Sequence, residues 1–176
     1  LERDAENPAK VREYTKKIMA SGQHLLSLIN DILDVSKIES GKVVLNLQPF
    51  TLNDLVSSVD AIIQPMAKAR SQNFQMEVTG VRHEYLLGDE TRINQVLINL
   101  LSNAVKYTQE GGSIWFRLIG QKQWSSQIQR LRIEVEDNGY GMTPEYLTTI
   151  FDAFTRAENS TTNKVQGTGL GMAITK

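Results

Sequence analysis

Along the first quarter of the chain, apolar residues recur at heptad spacing. Val11, Ile18, Leu25 and Ile32 fall at one core position and Tyr14, Ser21, Leu28 and Val35 at the other, while Leu26, Ile29 and Leu33 widen the stripe. This pattern predicts one long helix over residues 11–35 with a bundle-forming face. Its end is expected in the polar stretch 36–42, where Gly41 can take the left-handed conformation that stops a helix. A domain boundary is placed there, dividing the chain into 1–41 and 42–176. Beyond it the period changes. Residues 43–50 read as a strand, Thr51 with Asp54 as the start of a helix over 55–69, and 74–78 and 84–87 as short strands. Residues 89–108 form the clearest helix, because Ile93, Val96, Leu97, Leu100, Leu101, Ala104 and Val105 keep the i, i+3, i+4 rule unbroken. Two strands, 113–119 and 128–136, flank a polar loop that reads as a hairpin connection. A turn at 137–141, a short helix over 144–151, an aperiodic polar stretch 155–166 read as a mobile loop, and a glycine-rich opening to a last helix complete the order. The fold class is α+β, with an antiparallel element.

Composition narrows the function classes. The 176 residues carry 19 basic and 20 acidic side chains, a formal charge of -1, so no basic field exists to hold a nucleic-acid backbone. The absence of cysteine excludes disulfides and thiolate metal sites and fits a reducing, cytoplasmic compartment. No apolar run approaches the ~20 residues of a membrane span, so no membrane contact is expected of these residues.

Three polar features carry candidate chemistry. Asn99, Asn103 and Lys106 stand at i, i+4 and i+7 on one face of the 89–108 helix. Asparagine carbonyls are hard ligands suited to Mg²⁺, and a lysine one turn on can pair with phosphate; taken alone, the same residues read equally as a solvated helix flank. The run EDNGYGM puts Asp137 at a strand end and Gly139 and Gly141 in the turn after it. It is an ordinary turn signal, and also a place where backbone can approach a flat base while a carboxylate accepts from an exocyclic amine such as that of adenine. The run GTGLGMA has alternate glycines opening a helix, which presents N–H groups and a positive dipole end to phosphate. Its spacing matches neither the Walker loop nor the dinucleotide fingerprint, and a linker or close helix packing would also use it.

Taken in order, the motifs resemble the sensor histidine kinase family: NQVLINLLSNAVKYT its N box, DNGYG its G1 box, FDAFTRA its F box and GTGLG its G2 box. KIMASGQHLLSLINDILDVSKIESGK is similar to the second helix of the family's dimerisation and phosphotransfer domain and its exit into the catalytic domain. The resemblance implies the ATP-binding α/β sandwich shared with gyrase, mismatch-repair and heat-shock ATPases (the Bergerat fold), a mixed sheet covered by helices on one face. It implies ATP and Mg²⁺ as cofactors, with Asn103 as the metal ligand, Asn99 beside it, Lys106 on phosphate and Tyr107 against the nucleotide. It further implies Asp137 on the adenine amine, Gly139 and Gly141 shaping that pocket, and Gly167, Thr168, Gly169, Leu170 and Gly171 at the phosphates. Arg156 and Lys164 would serve the γ-phosphate from the loop, which Phe151 and Phe154 would anchor by packing. The implied partners are a response regulator receiver domain and a second copy of the chain through the N-terminal helix.

The sequence departs from the family pattern in two respects. No His-Glu/Asp-x-Arg/Lys-Thr-Pro segment, the family's phosphoacceptor, occurs; the two histidines, His24 and His83, read as structural or surface residues. The final helix and strands expected of the fold are also absent, so the catalytic domain reads as truncated. The function expected is an ATP-binding kinase domain, whose parent passes the γ-phosphoryl group to a histidine and on to a regulator aspartate. The alternatives are a nucleotide-gated interaction module that transfers nothing and a hydrolytic ATPase.

Overall fold

The computed structural model describes residues 7–123, 128–156 and 168–176. The chain separates into two units, Leu1–Val43 and Val44–Lys176. In the first, α1 runs from Pro8 to Glu39, beyond both ends of the predicted helix. Asn7 caps it, its Oδ1 accepting from the Ala9 and Lys10 amides at 3.2 and 3.3 Å, and Pro8 at the first helical position has no N–H to satisfy. At the other end Gly41, at φ +63°, closes the helix as its amide donates to Ile38 O at 3.0 Å. Ile18, Leu25, Leu26 and Leu33 on α1 are all more than half exposed.

The second unit contains β1 (Gln48–Thr51), α2 (Leu52–Lys68), β2 (Asn73–Thr79), β3 (Tyr85–Gly88), α3 (Glu90–Tyr107), β4 (Ser113–Gln123), β5 (Gln129–Asp137), α4 (Pro144–Leu147) and α5 (Gly171–Thr175). β1 pairs antiparallel with β3, Phe50 opposite Leu86. The larger sheet has the order β2-β4-β5, with β4 parallel to β2 and antiparallel to β5. It is therefore mixed, and β4 lies at its centre.

Strand alternation decides which face is buried. Ile114, Phe116 and Leu118 of β4 are at most 1% exposed and share one core with Val59 and Ile63 of α2 and Leu97, Leu101 and Val105 of α3. The intervening residues face the other way: Trp115 donates to Gln75 Oε1 at 3.1 Å, and Arg117 pairs with Glu136 at 2.7 Å. One face of the sheet is thus apolar and helix-covered, the other polar. The result is the α+β architecture expected, a two-layer α/β sandwich with a mixed sheet. α2 starts from Thr51, whose hydroxyl accepts the Asp54 amide at 3.0 Å and donates back to its carboxylate at 2.7 Å.

Two elements are shorter than predicted. The strand expected over 43–50 begins only at Gln48, because β3 offers four partner residues; Val44, Leu45 and Leu47 remain 87%, 57% and 54% exposed. Apolar character there had no facing strand to bury it. The helix expected over 144–151 stops at Leu147, where the Thr148 and Thr149 hydroxyls bond back to Glu145 O and Tyr146 O at 2.7 and 3.3 Å and compete with the helical pattern. The stretch read as a mobile loop falls largely in 157–167, outside the described residues.

Candidate functional site

Asn103 and Tyr107 are one turn apart near the carboxyl end of α3 and so project on one side. β5 delivers Asp137 beside them, and its turn folds back onto α3: the Tyr140 amide donates to Tyr107 O at 3.1 Å, and the Gly139 amide to Asp137 Oδ1 at 2.9 Å. A cavity opens between these elements, lined by Asn103, Tyr107, Asp137 and Gly141, with Leu100, Ala104, Val135, Met142, Tyr146, Ile150 and Met172 supplying apolar walls. At about 200 Å³ it is smaller than the ~300–1,000 Å³ of pockets that enclose a whole drug-sized ligand. It therefore suits a flat base, with the rest of a larger ligand lying outside. One Asp137 oxygen is engaged by Gly139, which leaves the other as the acceptor an exocyclic amine needs.

The glycines of the turn are required for different reasons. A Cβ on Gly139 would overlap the Tyr107 carbonyl and lie 2.7 Å from Asp137 Oδ1, so only a residue without a side chain lets the turn dock on α3. Gly141 has open space around it, but its φ of +68° is unfavourable for any L side chain.

The glycine-rich run meets α3 further back. Asn99 Nδ2 donates to Gly171 O at 3.4 Å, and Thr168 Oγ1 accepts the Leu170 amide at 3.2 Å. Leu170 is buried, so its side chain is a packing residue, and its carbonyl accepts the Ile174 amide at 3.2 Å. Gly169, at φ +72°, accepts the Phe154 amide at 3.0 Å, and a Cβ there would press on Phe154 and Thr155 backbone. Phe151 and Phe154 are 44% and 67% exposed, and Phe154 holds the glycine run through its backbone; the loop they are expected to anchor falls largely outside the described residues. Asn99, Lys106, Gly139, Arg156 and the 168–171 run lie outside the cavity wall, Arg156 being exposed. Lys164 and Gly167 lie outside the described residues.

Lys106 is half-buried and has no carboxylate partner among the described residues; burial alone holds its pKa below the usual 10.5. The unfolded chain binds that proton more tightly, so Lys106 detracts from stability below its folded pKa and the loss is recovered as pH rises towards 10.5. Lys106→Met is accordingly expected to raise the melting temperature slightly at neutral pH, the effect being reduced by solvent screening of the half-exposed ammonium, while weakening a phosphate ligand. A scanning calorimetry run beside a nucleotide titration checks both signs.

Among the described residues no group of three or more His, Cys, Asp or Glu side chains could hold a metal unaided. On α3 the cavity offers the hard amide oxygen of Asn103, away from the Asp137 carboxylate assigned to the base. That donor set fits Mg²⁺, which keeps several waters and is normally completed by substrate phosphates.

Sequence reasoning missed the apolar walls. Met142, Tyr146 and Ile150 are spaced by four, a signal that one side of this segment faces a common surface. Met172 directly follows the last glycine and gives no such signal.

Comparison with known proteins assigns the class. Residues 88–176 match the family described as histidine kinase-, DNA gyrase B-, and HSP90-like ATPase, and residues 1–41 match the His kinase A phospho-acceptor domain. The chain belongs to the histidine kinase-, DNA gyrase B- and HSP90-like ATPase family. Within it, the two matches together with the relatives mark the chain as carrying the ATP-binding domain of a two-component sensor histidine kinase. The sensory/regulatory protein RpfC of Xanthomonas campestris is 36% identical over 168 residues, covering 96% of this chain and 23% of that protein. Full-length ShkA, solved in complex with AMPPNP, is 32% identical with a TM-score of 0.71, over 93% of this chain and 32% of the other. ThkA, solved in complex with the response regulator protein TrrA, is 26% identical with a TM-score of 0.60, over 85% of this chain and 42% of the other. The chain spans less than a quarter of the curated relative's length. No helix among the described residues is long and apolar enough to cross a membrane.

Proposed function

We propose that the cavity between α3 and the Asp137 turn binds the adenine of ATP, and that the triphosphate runs along α3 past Asn103 and Lys106 to the 168–171 backbone. The observation that carries this reading is the juxtaposition of Asp137, Asn103 and Tyr107 around one base-sized apolar cavity. Mg²⁺, when bound, would neutralise phosphate charge with Asn103 as its protein ligand. Lys106, half-buried and without a carboxylate partner among the described residues, gains its counter-ion from phosphate. In the whole protein the γ-phosphoryl group passes to a histidine nitrogen and then to a receiver-domain aspartate. The AMPPNP complex of ShkA supports the nucleotide, and the regulator complex of ThkA a regulator partner, by similarity. The chain's work in this is positioning and charge stabilisation. Residues 1–41 belong, in this reading, to the dimerisation domain; the exposed apolar stripe of α1 supports pairing with a second copy. The compartment is the cytoplasm, where ATP is available.

Asp137→Asn tests the base assignment. The asparagine oxygen can still accept from Gly139, but its amide would point a donor at the adenine donor. Loss of one charged hydrogen bond costs about 1.5–3 kcal/mol, so ATP affinity should fall roughly 10- to 150-fold, with GTP affinity changed far less. Calorimetric titration showing equal losses for both nucleotides, or none, would remove Asp137 from the base site.

A further inference from the structure

We propose that Gln72 is a positioning residue for the nucleotide site, its buried amide fixing the carboxyl end of α3 against the turn that carries Asp137. The inference rests on the adenine-nucleotide reading and concerns a residue remote from the cavity wall. Gln72 is only 7% exposed, and it follows α2 through Ser71, a non-glycine residue at φ +54°. Such a conformation is disfavoured for an L side chain, so the path into Gln72 is held by its surroundings.

The carbonyls ending a helix have no intrahelical partners. Gln72 Nε2 donates to three of them at or just beyond the end of α3: Thr108 O at 2.8 Å, Val105 O at 3.0 Å and Gln109 O at 3.4 Å. Gln72 Oε1 is buried and has no partner among the described residues, so the amide is retained there for its donor side alone. The reversed orientation is excluded, because it would set an oxygen against three carbonyl oxygens. Across the same turn of helix, Tyr107 O accepts from Tyr140 and Gln109 Nε2 donates to Asn138 O at 3.3 Å. The last turn of α3 is therefore held from both sides, by Gln72 on one and by the Asp137 turn on the other. Without the Gln72 amide, the turn bearing Lys106 and Tyr107 keeps on that side the bond from Arg70 Nη2 to Thr108 O at 3.2 Å but loses the three from Gln72, and with them its register against Asp137.

The test titrates the 176-residue chain with Mg²⁺·ATP and Mg²⁺·GTP, comparing wild type with Gln72→Met and Gln72→Asn. Gln72→Met keeps the shape and removes the donors; ATP should bind about tenfold more weakly, with the ATP-over-GTP preference contracting and the stoichiometry staying at one site. A purely structural role would instead lower the melting temperature and the binding-competent fraction, leaving affinity and preference as in wild type, and that result overturns the inference. Should Gln72→Met not fold, Gln72→Asn, with its amide drawn back by one methylene, is expected to show a smaller contraction of the preference; an unchanged preference overturns the inference as well. Equal affinity of the wild type for both nucleotides would refute the adenine reading itself, and the inference with it.

Discussion

Gly139→Ala is expected to all but abolish ATP binding. The added methyl would overlap the Tyr107 carbonyl and press on Asp137, so either the last turn of α3 or the Asp137 turn must move. Movement breaks the Tyr140-to-Tyr107 hydrogen bond and displaces the carboxylate that reads the base. A lost charged hydrogen bond of about 1.5–3 kcal/mol and packing strain of about 1–3 kcal/mol together predict an affinity loss above about 50-fold. Gly141→Ala is the matched control. It meets no atom within 4 Å and suffers only from its φ of +68°, which costs roughly 1–2 kcal/mol. Titration should therefore rank Gly139→Ala well below Gly141→Ala, and the reverse order would mean that the turn does not dock on α3 as described.

The second large effect is an absence of turnover: the chain is expected to hold ATP without consuming it. In hydrolytic members of the superfamily, as the resemblance implies, a glutamate stands one helical turn before the magnesium asparagine. Here that position is Asn99, whose amide nitrogen is turned to Gly171 O at 3.4 Å. An amide cannot accept a proton from water near neutral pH, and removing a general base typically costs 10²- to 10⁴-fold in rate. Phosphate release should stay well below roughly one turnover per minute, and label from γ-labelled ATP should not accumulate on the chain, which contains no phosphoacceptor segment of the family type. Release at several turnovers per minute that vanishes with Asn103→Ala would favour the ATPase reading.

Much of this was legible in the sequence because it rests on local rules. Periodicity located α1 and α3, whose stripes are long and unbroken, and the Thr51–Asp54 pair announced the start of α2. The motif order pointed to a nucleotide site, and the fold brings Asn103, Tyr107, Asp137 and Gly141 to one cavity. What sequence could not supply is the partner each segment finds. Residues 43–47 look like strand yet face no strand, and the backbone bond from Phe154 to Gly169 carries no sequence signal. Gln72 carries no motif at all; its role depends on where the end of α3 falls in space, 33 or more residues further along the chain.

The central claim is that one cavity, between α3 and the Asp137 turn, takes the adenine of ATP. The measurement closest to it is an amide-resolved NMR titration of the isotope-labelled chain with Mg²⁺·ATP. Shifts are predicted to concentrate at Asn103, Tyr107, Gly139, Gly141 and Met172, with Gln75, Trp115 and Arg117 on the polar face of the sheet unmoved. Saturable binding that leaves Gly139 and Gly141 unshifted while perturbing the polar face would contradict the account.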